Sequence, residues 1–255
     1  VTDEQPLWQN GGVYLLTGGA GGLGQAFARD LADHTQSAAV ILTGRREETD
    51  SIRGQLQDLK ARGIWAEYRA VDISNEQEVQ SLIASIERDY GRLNGILHAA
   101  GVVKDGLLSS KSAEDLNSVL SAKVSGTLAL DQATSGMSLD WFVLCSSVSG
   151  ALGNAGQTDY AAANSFMDEF AHWRASRVQS GERQGRTLSV NWPLWDSEGM
   201  SMDPSMVELL QRRFGVIPLP SELGVASLSG LLAQSGPQKV LMHGELARLK
   251  RLLPS

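Results

Sequence analysis

The chain has 255 residues, an apolar fraction of 42%, a charged fraction of 20% and a net charge of −7. Those values fit one large soluble α/β domain with a substantial core, and the acidic balance, with no Lys/Arg-rich run, argues against nucleic acid as a partner. No apolar run reaches the length of a membrane span, and the start, VTDEQPLWQN, is not a signal peptide. The single cysteine, Cys145, permits no internal disulfide, which suits a reducing cytoplasm, and in its apolar run it reads as inert packing. His34, His98, His172 and His243 are scattered without ligand spacing, so no metal site is expected.

Residues 1–12 read as a polar linker closed by Gly11 and Gly12. From Val13 onward, strand-like apolar runs at 13–17, 38–43, 64–71, 95–99, 139–146, 187–192 and 238–242 alternate with helical patterns. Ser74-x-x-Gln77 reads as a capping box that opens the helix carrying Val79, Leu82, Ile83 and Ile86. Such alternation predicts an α/β fold with a single doubly wound, Rossmann-like parallel sheet over 13–255. Ligands in that architecture bind beyond the carboxyl ends of the strands.

The loop after the first run is Thr17-Gly18-Gly19-Ala20-Gly21-Gly22-Leu23-Gly24. Between a strand and a helix, Gly18, Gly19, Gly21, Gly22, Leu23 and Gly24 form a pyrophosphate cradle, because glycines admit close approach and a helix start offers N–H groups. The loop after the second run is Gly44-Arg45-Arg46, with no acid where a ribose 2′-OH would need one. A guanidinium there suits a 2′-phosphate and predicts NADPH, although two solvated arginines at a helix start would look the same. Asp72 and Ile73 follow the third run; the acid can accept from an adenine amino group or cap the next helix. Ala99, Ala100 and Gly101 follow the fourth and are small enough to let a cofactor lie against backbone, while His98 reads as a packing or backbone-bonding residue.

The stretch CSSVSGALGNAGQTDYAAAN, 145–164, carries the chemistry. A serine at a strand end and a tyrosine in the first turn of a long Gly- and Pro-less segment, Ser147 and Tyr160, can converge on one carbonyl oxygen to polarise and protonate it. Asn164 shares a helix face with Tyr160. The stretch resembles short-chain dehydrogenases, which carry Tyr-x-x-x-Lys where this chain has Tyr-x-x-x-Asn. Lys123 lies in register with Leu116, Val119 and Leu120 beside an apolar face. A lysine there either snorkels to water or finds a buried partner.

TGGAGGLG, LTGRR, HAAGV, AKVSGT, LCSSVSG, GQTDYAAANSFMDEFA and NWPLW occur in order, and together they resemble the ketoreductase domains of modular polyketide synthases. NWPLW is similar to the variety from assembly lines without built-in acyltransferases. In that family lysine and asparagine exchange places, so the resemblance implies a catalytic set of Lys123, Ser147, Tyr160 and Asn164. It implies NADPH-dependent reduction of a β-ketoacyl thioester on the phosphopantetheine of an acyl carrier protein, alongside neighbouring synthase domains. Pro193 matches a cofactor-side position. Asp105 matches the aspartate of members giving the D-configured hydroxyl, Leu152 stands where the opposite type carries tryptophan, and Lys104 replaces an acidic neighbour. Residues 196–219 read as a helical lid in which Met200, Met206, Leu209, Leu210 and Phe214 line the acyl pocket, although plain core packing would give Met206, Leu209, Leu210 and Phe214 the same apolar face. The family's preceding structural subdomain has no counterpart in residues 1–12. GELARLKRLLPS, 244–255, is basic and amphipathic, a solvated helix or a hand-over to a carrier domain. A free-standing reductase of a small ketone, or a silent NADPH-binding scaffold, are the other readings. The lysine–asparagine exchange argues against the first of these, and the intact set of four residues against the second.

Overall fold

The computed structural model describes residues 6–196 and 204–251. Seven strands, apolar in the middle of the sheet and more polar at its two edges, form one parallel sheet: β1 Val13–Thr17, β2 Ala39–Gly44, β3 Trp65–Ala70, β4 Gly95–His98, β5 Trp141–Ser147, β6 Arg186–Trp192 and, after two short strands, β9 Gln238–Val240. Their order is β3-β2-β1-β4-β5-β6-β9. Because every crossover is helical, both faces are covered and the central strands are apolar throughout rather than alternating. In β1, Tyr14 and Leu16 face one layer while Val13 and Leu15 face the other.

Helices α1 Gly22–His34 and α2 Asp50–Ala61, with α9 Ser221–Ala233, pack Phe27, Leu31, Leu56, Leu59 and Leu228 on the first face. On the second face lie α3 Glu76–Tyr90, α4 Ala113–Leu120, α5 Gly126–Ala133 and α7 Thr158–Gln179, with Val79, Ile83, Ile86, Leu130, Met167 and Ala171 in the core. A short helix, α6 Val148–Leu152, connects β5 towards α7. The strand order reverses between β1 and β4, so the loops after these two strands border the crevice where such sheets bind ligands.

Three local expectations need correction. The cap of α3 is Asn75, whose side chain accepts from the amides of Gln77 and Glu78. Ser74 instead turns towards the preceding loop, its hydroxyl and amide both donating to Asp72 Oδ1. Residues 7–12 are no solvated linker either. Leu7 and Trp8 are buried, Trp8 stacks edge-on against Tyr14 and Trp141, and its indole N–H donates to Asp30 at 2.6 Å. The chain end is more than a solvated helix: in α10 Leu246–Leu249, Leu249 is buried and Arg248 donates to the carbonyl oxygens of Gln211 and Arg212.

Those two carbonyls end α8 Pro204–Phe214, the helix of the expected lid. The segment is closed at its base by a two-stranded parallel pair, β7 Trp195–Asp196 with β8 Leu219–Pro220. Among the described side chains of α8, Val207, Leu210 and Phe214 are half-buried and Leu209 is exposed, so Leu209 departs from the expected apolar face, and the Met206 side chain lies outside the described residues. Met200 lies outside the described residues.

Candidate active site

The glycine loop is shaped by backbone crowding. Gly18 has φ +65°, and a Cβ there would sit 2.9 Å from the Ala100 backbone and the Ala99 carbonyl oxygen. A Cβ at Gly24 would fall 2.5 Å from Gly19 Cα, so helix and turn touch only because residue 24 is glycine. Gly21 and Gly22 lie at the start of α1, which has no side-chain cap and no acid in its first turn. The first amides of α1, from Gly22 through Leu23 and Gly24, are therefore left for an anion. Arg45 and Arg46 stand exposed beyond the end of β2, on the same edge. The glycine loop, its uncapped helix and these two cations fit the phosphates of a dinucleotide. Asp72 spends Oδ1 on Ser74, and Ile73 is buried in the second core layer.

A buried chain of hydrogen bonds joins this loop to the next. The ring nitrogen Nε2 of His98 lies 3.1 Å from the carbonyl oxygen of Ala122, which can only accept, so Nε2 carries the proton. Nδ1 then accepts from Thr17 Oγ1 at 2.7 Å, and Thr17 Oγ1 in turn accepts from the amide of Ala100. Burial, and next the charge of Lys123, push the His98 pKa down to about 3, so the imidazole stays neutral. Thr17 was not singled out by the sequence; a threonine closing an apolar strand gives no local signal.

Between α4 and α5 the helix widens into a π-turn, Ser121–Ser125, which carries Lys123. Insertions of this kind re-aim a side chain inside an otherwise continuous helix. Lys123 is buried, not snorkelling. Its Nζ donates to the Cys145 carbonyl at 2.9 Å, lies 3.7 Å from Met167 Sδ and stands 5.6 Å from the centroid of the Tyr160 ring. A Cβ on Gly101 would come within 2.9 Å of Lys123 Cε, so the small residue makes room for the lysine stem. Cys145 is buried and its thiol is pushed up to about 12 by that burial.

Ser147 ends β5 and begins α6, its Oγ accepting from the amide and hydroxyl of Ser149. Tyr160 occupies the first turn of α7 and is only half-buried. One turn on, Asn164 donates Nδ2 to the Tyr160 carbonyl at 2.7 Å, and its buried Oδ1 has no hydrogen-bond partner among the described residues. The structure thus assembles Lys123, Tyr160 and Asn164 around the Ser147 strand end. Pro193 is buried just beyond β6. Leu152 is exposed at the end of α6, and Asp105 accepts from Gln157 Nε2 at 2.8 Å, three residues before Tyr160.

Behind this cluster lies a buried polar network that the sequence reading missed. Asn191 Nδ2 bonds Ser146 Oγ at 3.0 Å and Asp168 Oδ2 at 2.7 Å, while Ser189 Oγ donates to Asp168 Oδ1 at 2.6 Å. Burial raises the Asp168 carboxyl above its ordinary range, and the hydrogen bonds from Ser189 and Asn191 oppose the rise. The network ties β5, β6 and α7 together under the site. At its far end α7 is anchored by buried Arg174, which bonds Asp131, Thr187 and the Gln184 carbonyl.

The KR domain family model matches residues 12–197 of this chain. The chain belongs to the KR domain family. Polyketide synthase PksN of Bacillus subtilis (strain 168) is 44% identical over 249 residues, 98% of this chain and 4% of that synthase. A ketoreductase domain from the bacillaene assembly line superposes with TM-score 0.95 at 41% identity, over 99% of this chain and 61% of that one. An N-terminal ketoreductase from the macrolactin assembly line gives TM-score 0.89 at 40% identity, over 100% of this chain and 49% of that one. The KR domain therefore spans a small part of the synthases it matches. It is an oxidoreductase domain of the polyketide-synthase type, and its Rossmann-like fold is one that binds a nicotinamide cofactor.

Proposed function

We propose that this KR domain uses NADPH to reduce a β-ketoacyl thioester, borne on the phosphopantetheine arm of an acyl carrier protein, to the β-hydroxyacyl thioester. The observation that carries the reading is the buried Lys123 ammonium beside the Tyr160 ring, in a chain whose Tyr-x-x-x-Asn lacks the usual lysine. A bound reduced nicotinamide supplies the hydride. Ser147 and Tyr160 hydrogen-bond the ketone oxygen, and Tyr160 gives up its hydroxyl proton as negative charge develops there. Lys123 stabilises the phenolate left behind, from a site where burial weakens screening. Asn164 Oδ1, buried and unbonded within the described residues, holds a water that returns the proton to Tyr160.

Gly18, Gly19, Gly21, Gly22, Leu23 and Gly24 take the pyrophosphate, and Arg45, with Arg46 beside it, takes the 2′-phosphate. Asp72 and Ile73 receive the adenine, while Ala99, Ala100, Gly101 and Pro193 flank the nicotinamide half. Asp105 and Leu152, with lid residues including Met200, steer the acyl chain so that the D-configured alcohol forms. The test is NADPH oxidation with a β-ketoacyl pantetheine thioester, followed by chiral analysis of the product. Turnover with an excess of the D-alcohol is expected. No turnover would remove the activity, and an excess of the L-alcohol would remove the stereochemical assignment alone.

A further inference from the structure

The residues that follow Gly101 form a loop lying over the start of α7, and three ties hold it there. The amide of Gly106 donates to the Gly156 carbonyl at 2.9 Å. Gln157 Nε2 donates to Asp105 Oδ1. The third tie is an ion pair between Lys111 and Asp159, and it differs from the others in being buried, with side-chain exposures of 5% and 1%. Lys111 Nζ also donates to the Lys104 carbonyl, closing the loop on itself. Asp159 Oδ1 accepts from the backbone amide of Tyr160 at 2.9 Å, while Oδ2 is buried and has no hydrogen-bond partner among the described residues. Burial pushes the Asp159 carboxyl up, but Lys111 and the Tyr160 amide outweigh it and hold the group below the usual carboxylate range.

A buried pair is a costly way to hold a loop whose outer side chains are exposed, because removing either partner strands the other charge out of water. Here the pair sits next to Tyr160 in sequence, and its carboxylate is bonded to that residue's own backbone. We propose that Lys111 and Asp159 are positioning residues: their ion pair latches the loop 102–111 onto the first turn of α7, fixing at once the place of Tyr160 and that of Asp105. This rests on the reading of Tyr160 as proton donor and Asp105 as a stereochemical determinant. A catalytic group misplaced by about 1 Å can lose on the order of a hundredfold in rate. The pair therefore acts on turnover and product configuration without touching the cofactor phosphates.

The experiment is a double-mutant cycle in the full chain, Lys111→Met, Asp159→Asn and both together, with Tyr160→Phe assayed beside them. Expected for each single variant are a kcat at least tenfold lower, a smaller D excess, and an NADPH dissociation constant within twofold of the unsubstituted chain. The double variant is expected to lose no more than the worse single one. Hydrogen exchange over 102–111 should rise in all three while β1 stays protected. Should a single variant lose its melting transition, Lys111→Gln with Asp159→Asn, which buries no unpaired charge, is measured by the same readouts. The latch is overturned if kcat and product ratio stay within twofold, or if exchange over 102–111 is unchanged, while Tyr160→Phe is inactive. An active Tyr160→Phe would instead overturn the proton-donor reading on which the latch rests.

Discussion

Replacing Lys123 by methionine keeps most of the length and volume of the side chain while deleting its charge, so the surrounding core is only mildly disturbed. Lys123 Nζ is 5.6 Å from the Tyr160 ring centroid. At that separation and an effective dielectric of about 20, an ammonium and a full phenolate charge attract by about 3 kcal/mol. A transition state with half the charge developed would draw on about half of that, so kcat should fall between about tenfold and a hundredfold. The NADPH dissociation constant should not change, because the lysine contacts the Cys145 carbonyl and Met167 rather than the glycine loop. Steady-state oxidation of NADPH by the β-ketoacyl thioester gives kcat, and fluorescence titration gives the cofactor affinity. A kcat within twofold of the unsubstituted chain, with affinity and melting temperature intact, would refute the electrostatic role. Buried Lys123 would then be a packing residue satisfied by a strand carbonyl.

Tyr160→Phe should abolish turnover while leaving NADPH affinity unchanged, since the hydroxyl is the proposed proton source; most activity retained would overturn the mechanism. Arg45→Ala should raise the KM for NADPH about ten- to a hundredfold more than that for NADH, the worth of one charge-assisted hydrogen bond; equal effects would free Arg45 of 2′-phosphate recognition. His98 is held near 3 in the folded chain against 6.5 when unfolded, so the unfolded state takes up the extra proton. Stability is thus fully present above pH 6.5 and declines as pH falls towards 3, by up to about 1.4 kcal/mol per unit from this group. Chemical denaturation across that window should show a steeper loss for the unsubstituted chain than for His98→Gln, and parallel curves would refute the contribution.

Apolar runs bounded by glycine and polar turns made the central strands legible, because parallel strands buried on both faces carry a continuous hydrophobic signal, whereas the edge strands β3 and β9 are only partly buried and carry polar residues. The glycine loop was legible for a similar reason: several glycines between a strand and a helix are needed only where backbones approach closely. The misses share a different cause. Ser74 and Asn75 are both good caps, and only the structure shows that Asn75 caps the helix while Ser74 donates to Asp72. Leu7 and Trp8 look like stray apolar residues in a polar segment until Tyr14 and Trp141 supply their partners. The network of Ser146, Ser189, Asn191 and Asp168 brings together residues up to 45 positions apart, and each alone reads as an ordinary polar residue. Helical spacing identified α8 but not the exposure of Leu209, since the surface the helix covers belongs to other segments.

The exchange of lysine and asparagine has structural consequences that the rest of the site accommodates. An ammonium at position 164 would stand on the tyrosine's own helix; here it arrives from the helix across the site. Reaching inward takes a π-turn to aim the stem, a glycine at 101 to leave room for it, and a strand carbonyl at Cys145 to receive it. The π-turn is held in turn by His98 through the carbonyl of Ala122, and His98 is held by Thr17 at the cofactor loop. Asparagine at 164 then turns its amide back on the Tyr160 carbonyl, a local bond that polar side chains often make inside helices. That leaves its oxygen buried and without a hydrogen-bond partner among the described residues, an acceptor that a lysine could not supply. Reversing the exchange alone, Lys123→Asn with Asn164→Lys, would therefore not restore the ordinary arrangement. The incoming lysine would displace the amide from Tyr160, and asparagine on the π-turn would be too short to reach Cys145. The doubly exchanged chain should be less active than Lys123→Met, measured in the same thioester assay. Activity equal to the unsubstituted chain would mean that the two residues supply only a charge, wherever it stands.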